Sequence, residues 1–112
     1  MALREIHDPK SATPLVRALM DESPGVRWLA AEAIVAIGPD AITALLSGLK
    51  ENFNSVWMQQ GAHHVLSEFR RRIVLSGEIR HLLDLLSHDA PTEAIPLAVR
   101  AALLARSRVK QP

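Results

Sequence analysis

Five histidines are the side chains best suited to metal or proton chemistry in this sequence, and their spacing decides what they can do. His63 and His64 are adjacent, and neighbours on a helix diverge by about 100°, so the two cannot grip one ion. His81, Asp84 and His88 stand at i, i+3, i+7 on one helical face, where two imidazoles and a carboxylate could hold zinc loosely. Arg80 competes for Asp84 and no outer ring of orienting partners is evident, so these three are the candidate metal site but imply no resident metal or cofactor. Arg70, Arg71 and Arg72, with Arg100, Arg106, Arg108 and Lys110, make the one basic concentration. Phosphate contact would fit it, and backbone binding to nucleic acid follows as an alternative function. Three arginines at a helix end also complement the helix dipole, however, and no interleaved aromatics offer base stacking, so nucleic acid is not the expected partner. There is no cysteine nucleophile, Gly-rich phosphate loop, nucleophile elbow or carboxylate pair in an evident cleft, and an independent enzyme is not expected.

A second group of residues is suited to contact rather than catalysis. Trp28 and Glu32 lie off the apolar stripe of their helix; Gln59, His63 and Ser67 are spaced four apart on a polar strip; Glu93 and Arg100 are comparable in the last helix. What positions them is an apolar spacing that occurs three times: Ala12, Leu15, Val16, Leu19; Ile42, Leu45, Leu46, Leu49; and Ile79, Leu82, Leu83, Leu86. Each set runs i, i+3, i+4, i+7, the stripe of an amphipathic helix, and the sets start 30 and then 37 residues apart, which is the mark of a copied unit. After the first stripe, Ser23-Pro24-Gly25 announces a second helix at 26–37, whose Val26, Leu29, Ala30, Ala33, Ile34 and Ile37 share a face, and Gly38-Pro39 stops it. The next copy is predicted at 39–50 and 55–72, with Gly61 permitting close helix contact, and the third at 75–88 and from Thr92 to near Arg106. Pro96 must then lie in a first turn, and 107–112 should fray.

The chain has 112 residues, 48% of them hydrophobic, enough for one domain with a continuous core and too few for two. Thirteen basic against twelve acidic side chains leave +1, so the field of the whole molecule cannot by itself drive binding to nucleic acid or membrane. No apolar run approaches the roughly 20 residues of a membrane span, and residues 1–10 carry charges where a signal peptide would be apolar. A cytoplasmic protein is expected, the lack of cysteine agreeing with a reducing compartment.

The pattern Ala2-Leu3-x-x-Ile6-x-Asp8-Pro9-x-x-Ala12-x-Pro14-Leu15-Val16-x-x-Leu19-x-Asp21, followed by Val26-Arg27-x-x-Ala30-Ala31-x-Ala33-Ile34-x-x-Ile37-Gly38, resembles the short bacterial HEAT-like repeat, the type also found in phycobilisome lyases. The likeness is fullest over 2–50, continues over 51–69 and rests on periodicity over 75–106. It implies an all-α, right-handed α-solenoid (armadillo-like) of three antiparallel helix pairs at about 9–38, 39–72 and 75–106, with 2–7 the tail of a preceding inner helix. It implies further that the second helix of each pair lines a concave surface that binds a protein partner. On that reading Trp28, Glu32, Gln59, His63, Ser67 and Arg100 form the partner-binding face, with Glu32, His63 and Arg100 in one row. The resemblance also implies an alternative, a bilin-lyase-like subunit or fragment that handles a chromophore. Relatives with a di-iron hydroxylase site carry His-Glu pairs where this sequence has Trp28-Leu29 and Met58-Gln59, so that activity is not expected. With so few repeats the terminal faces should be apolar, and self-association would cover them.

Overall fold

The structure, a computed structural model, describes residues 12–87 and 91–110. These form α1 (Ala12–Ala18), α2 (Pro24–Ile37), a 3-10 turn (Pro39–Ala41) that runs into α3 (Ile42–Glu51), α4 (Val56–Arg72), α5 (Gly77–Ser87) and α6 (Ala94–Lys110), with no strand among the described residues. The chain is an all-α solenoid of three antiparallel helix pairs, as the resemblance implied. Three of the helices start from the same device, the third at Ser76, whose Oγ accepts from the Ile79 amide at 3.3 Å. Ser23 is extended and its Oγ accepts from the Val26 amide at 3.4 Å, while Ser55 does the same for Met58 at 3.2 Å, so each supplies a partner to a first-turn N–H that the helix cannot satisfy. Pro96 falls in the first turn of α6, where its missing N–H costs no hydrogen bond. That helix continues to Lys110 where fraying was expected from 107, and the predicted tail at 2–7 lies outside the described residues.

The three apolar stripes supply much of the core. Val16, Leu19, Ile42, Leu45, Leu46, Leu49, Ile79, Leu82 and Leu83 are buried, joined by Met58, Ala62, Val65, Leu66 and Phe69 of α4, and no polar side chain among the described residues is buried with them. On α2 the expected stripe divides. Ala30 and Ile34 are buried, but Val26 is 39% and Leu29 68% exposed: α1 and α4 are the described helices that pack along α2, and neither covers these two side chains.

Packing of the helices shows an order that periodicity could not. The first four stack as two regular pairs: α1 on α2, α3 on α4, α1 beside α3 in one layer and α2 beside α4 in the other. The third pair docks with its two helices exchanged between the layers. The helix after the linker, α5, packs beside α4, and α6 packs beside α3. Helices α3 to α6 thus close a ring in which each touches the next and the last touches the first. The linkers give the reason. Between α2 and α3, Gly38 at φ 99° and the 3-10 turn behind Pro39 swing the chain through 117°, carrying it across to the other layer. Residues 73–76 contain no glycine, Ile73 is extended, and Gly38 is the only positive-φ residue among those described, so α5 simply folds back beside α4.

Candidate functional site

The side chains that α2 and α4 turn toward each other form the best-organised polar and aromatic cluster on the described surface. Both helices run in the same direction as neighbours in one layer, and their N-caps Ser23 and Ser55 are 32 residues apart. Counting from the caps pairs Trp28 with Gln60 and Glu32 with His64. The contacts follow that register. Glu32 Oε2 lies 3.2 Å from His64 Nε2, and the His64 ring leans on Trp28 with centroids 5.5 Å apart and planes at 43°. Nearer the N-termini, the Arg27 guanidinium lies 4.4 Å from the centre of the Trp57 ring. Its Nη1 donates to the carbonyls of Asp21 at 2.7 Å and Glu22 at 3.1 Å, which fixes the plane on which the indole rests. Between these two stacks opens a cleft of about 190 Å³, lined by Trp28, Trp57, Gln60 and His64 and bounded by Leu19 and Gly61. A Cβ at Gly61 would sit 3.0–3.2 Å from the Leu19 side chain, so this glycine allows the close approach expected of it. Trp28 is 57% and Trp57 39% exposed, and both indoles keep surface available to a partner.

Of the six residues assigned to this face from sequence, the structure brings Trp28 and Glu32 together and sends the others elsewhere. Gln59 donates Nε2 to the Phe53 carbonyl at 2.6 Å and holds the α3–α4 loop. His63 Nε2 is 3.0 Å from Ser87 Oγ on α5; because that hydroxyl donates its hydrogen to the Leu83 carbonyl at 2.8 Å, the imidazole is the donor in this pair. Ser67 is half-buried one turn further along α4. Arg100 is exposed on α6, which belongs to the layer of α3, so the row Glu32, His63, Arg100 does not exist. Two errors produced it. Glu32 and His63 differ by 31 positions, one short of the 32 between the serine caps, so His64 and not His63 stands opposite Glu32, and the exchanged third pair removes Arg100. The first was avoidable, since the two serine caps in the sequence give the offset of 32 directly. The same one-residue offset hides Gln60 and His64, whereas the Arg27–Trp57 stack does not follow that register.

The basic run is partly neutralised. Glu68 pairs with Arg71 at 3.1 Å and with Arg72 at 3.5 Å, and Arg70 is exposed. Arg106 points away from the run: Nε donates to Thr43 Oγ1 at 2.9 Å and Nη2 to the Pro39 carbonyl at 3.3 Å. Burial pulls its pKa below the ordinary guanidinium value, with Asp40 acting in the opposite sense. His81 and Asp84 are exposed on α5, while His88 lies outside the described residues; among the described residues no three His, Asp or Glu side chains gather closely enough to hold a metal. No single helix among them is long and apolar enough to cross a membrane.

A family model described as HEAT repeats matches residues 1–63, a stretch that takes in α1 to α3 and the first half of α4. It stops short of the pair whose helices are exchanged. No curated protein and no solved structure matches the chain.

Proposed function

This chain belongs to the HEAT-repeat family, whose members are generally protein-interaction scaffolds, and on that premise we propose that it holds a partner protein against the α2/α4 face. The proposal is of a scaffold without catalysis of its own. One observation carries it: two tryptophans are clamped by neighbouring side chains, Trp28 by His64 and Trp57 by Arg27, yet keep 57% and 39% of their surface exposed. An indole already fixed in place loses little conformational freedom when a partner covers it, and tryptophan and arginine are the residues most often found to dominate binding energy. Glu32 and Gln60 at the edge add hydrogen-bonding groups that would set the partner's register.

The test compares what immobilised protein retains from a lysate of its source, using wild type, Trp28→Ala with Trp57→Ala, and Arg100→Glu. The reading requires a protein retained by wild type and by Arg100→Glu but lost from the double variant. Equal retention by all three would refute it.

A further inference from the structure

The cleft on the α2/α4 face already receives one cation, supplied by the chain itself. The Arg27 guanidinium lies 4.4 Å from the centre of the Trp57 ring, and its Nη1 is held by the Asp21 and Glu22 carbonyls. An indole face and nearby oxygen acceptors together suit a guanidinium or an ammonium. The second tryptophan of the cleft offers the same two components without the cation. Trp28 meets the His64 ring obliquely, at 43°, and stays 57% exposed. Glu32 follows it by four positions on α2, so the indole and the carboxylate stand side by side on one helix face. Glu32 Oε2 faces His64 Nε2 at 3.2 Å, but a carboxylate accepts several hydrogen bonds and has capacity for a second donor.

The balance of charge points the same way. Over residues 21–37 and 56–67, the cap loop with α2 and the part of α4 that runs beside it, the Asp, Glu, Lys and Arg side chains are Asp21, Glu22, Arg27 and Glu32. Three acidic groups thus stand against one basic group, although the whole chain carries +1. The cleft of about 190 Å³ is also larger than the roughly 150 Å³ that admits a benzene ring, which leaves room for the end of one long side chain.

We propose that the partner held on this face presents a basic segment, one of whose lysine or arginine side chains enters the cleft, lies over Trp28 and donates to Glu32. This rests on the α2/α4 face being the partner surface and names what that surface selects. Trp28 supplies the cation–π attraction and Glu32 the opposite charge, while His64, which touches both, holds them in place. Arg27, fixed on Trp57, repels a second cation from the other end of the cleft, so the site takes a single basic side chain. An acidic segment or a nucleic acid brings the wrong sign to this face.

The indole N–H resonances of nitrogen-labelled protein report on the cleft during titration with three peptides: acetyl-Gly-Arg-Gly-Lys-Gly-amide, its acidic counterpart acetyl-Gly-Glu-Gly-Asp-Gly-amide, and acetyl-Gly-Pro-Pro-Pro-Gly-amide. The basic peptide should move the Trp28 resonance saturably, less so as salt rises, and the other two should not. Read at Trp57, Trp28→Ala should weaken that binding by about two- to thirtyfold and Glu32→Gln by about two- to fivefold, with Arg100→Glu unchanged. Circular dichroism checks that each variant is folded. The proposal is overturned if the basic peptide gives no saturable shift, if either of the others matches it, or if Trp28→Ala and Glu32→Gln both bind as wild type does. A partner retained from lysate through the two tryptophans, yet not displaced by excess basic peptide, would leave the scaffold reading standing and refute this one. A partner that survives loss of both tryptophans would refute the scaffold reading and this proposal with it, whatever the peptides show.

Discussion

Glu32 and His64 are 32 positions apart in the chain and 3.2 Å apart in space, joining the two second helices of consecutive repeats. The pair measures the repeat directly, because α2 and α4 start from equivalent serine caps and run in the same direction. Trp28 shares the His64 ring, so a single imidazole ties one helix to both a carboxylate and an indole of its neighbour. The same contact that holds two repeats in register also orients the most exposed aromatic residue on this face.

The Glu32–His64 pair contributes little to stability. Their side chains are 48% and 36% exposed, and a polar contact that open to water contributes at most about 0.2–1 kcal/mol. Glu32→Gln and His64→Ala should each lower the unfolding free energy by no more than about 1 kcal/mol in urea titrations. A loss above roughly 2 kcal/mol would mean that the pair is structural and not a feature of the binding surface.

Gly48 tells a different story from an ordinary helical glycine. A Cβ there would run into Cγ1 of Val16 on α1, a β-branched side chain that is buried and has few rotamers to escape into. Overpacking of this kind costs about 1–3 kcal/mol, more than the roughly 1 kcal/mol that alanine returns in helix propensity. Gly48→Ala should therefore destabilise the protein on balance. Combining it with Val16→Ala, which vacates the space, should cost less than the two single losses added together. Thermal or urea unfolding of the four proteins measures that coupling.

Gly38 and Gly77 should respond to alanine with opposite signs. Nothing lies within 4 Å of a Cβ at Gly38, so space is not at issue, but φ of 99° with ψ of −169° is a backbone that L residues rarely adopt. Strain of about 1–3 kcal/mol is expected there, placed on the corner that crosses from one layer to the other. Gly77 has no positive φ, and its Cβ would meet Arg80 at an ordinary 4.0 Å, so alanine there should be neutral or stabilise by about 0.4–1 kcal/mol. Urea midpoints of the two variants check the contrast.

Helix existence and the core-facing stripes were legible in the sequence because both depend on local spacing, which a 3.6-residue period records. The buried leucines of α3 and α5 are where that period puts them. Three further features were not legible from the stripes. The partner of Glu32 depends on the offset between second helices, which the caps Ser23 and Ser55 encode and the stripes of the first helices do not. Val26 and Leu29 satisfy the apolar pattern of α2 yet stand exposed, since periodicity identifies a face without saying whether a neighbour covers it. The exchange of α5 and α6 is a property of residues 73–76, a linker without the Gly-Pro corner that redirects the chain at 38–39.

That exchange makes the last prediction, which concerns where α6 sits. Were the third pair stacked like the first two, α6 would lie beside α4, and Arg106 would be far from Thr43. Instead Arg106 donates from Nε to Thr43 Oγ1 at 2.9 Å and from Nη2 to the Pro39 carbonyl at 3.3 Å, tying the end of α6 to the start of α3. A hydrogen bond to a charged group contributes about 1.5–3 kcal/mol when fully shielded, and Arg106 is only half-buried, so a coupling of about 1 kcal/mol is expected between the two residues. Thr43→Val and Arg106→Lys should each destabilise, and their double variant should lose less than the sum. Nuclear Overhauser contacts between the Thr43 methyl and Arg106, and between His63 and Ser87, should accompany that coupling. Contacts from α6 to the His63 side of α4, with no coupling between Thr43 and Arg106, would instead place the third pair in the same order as the first two.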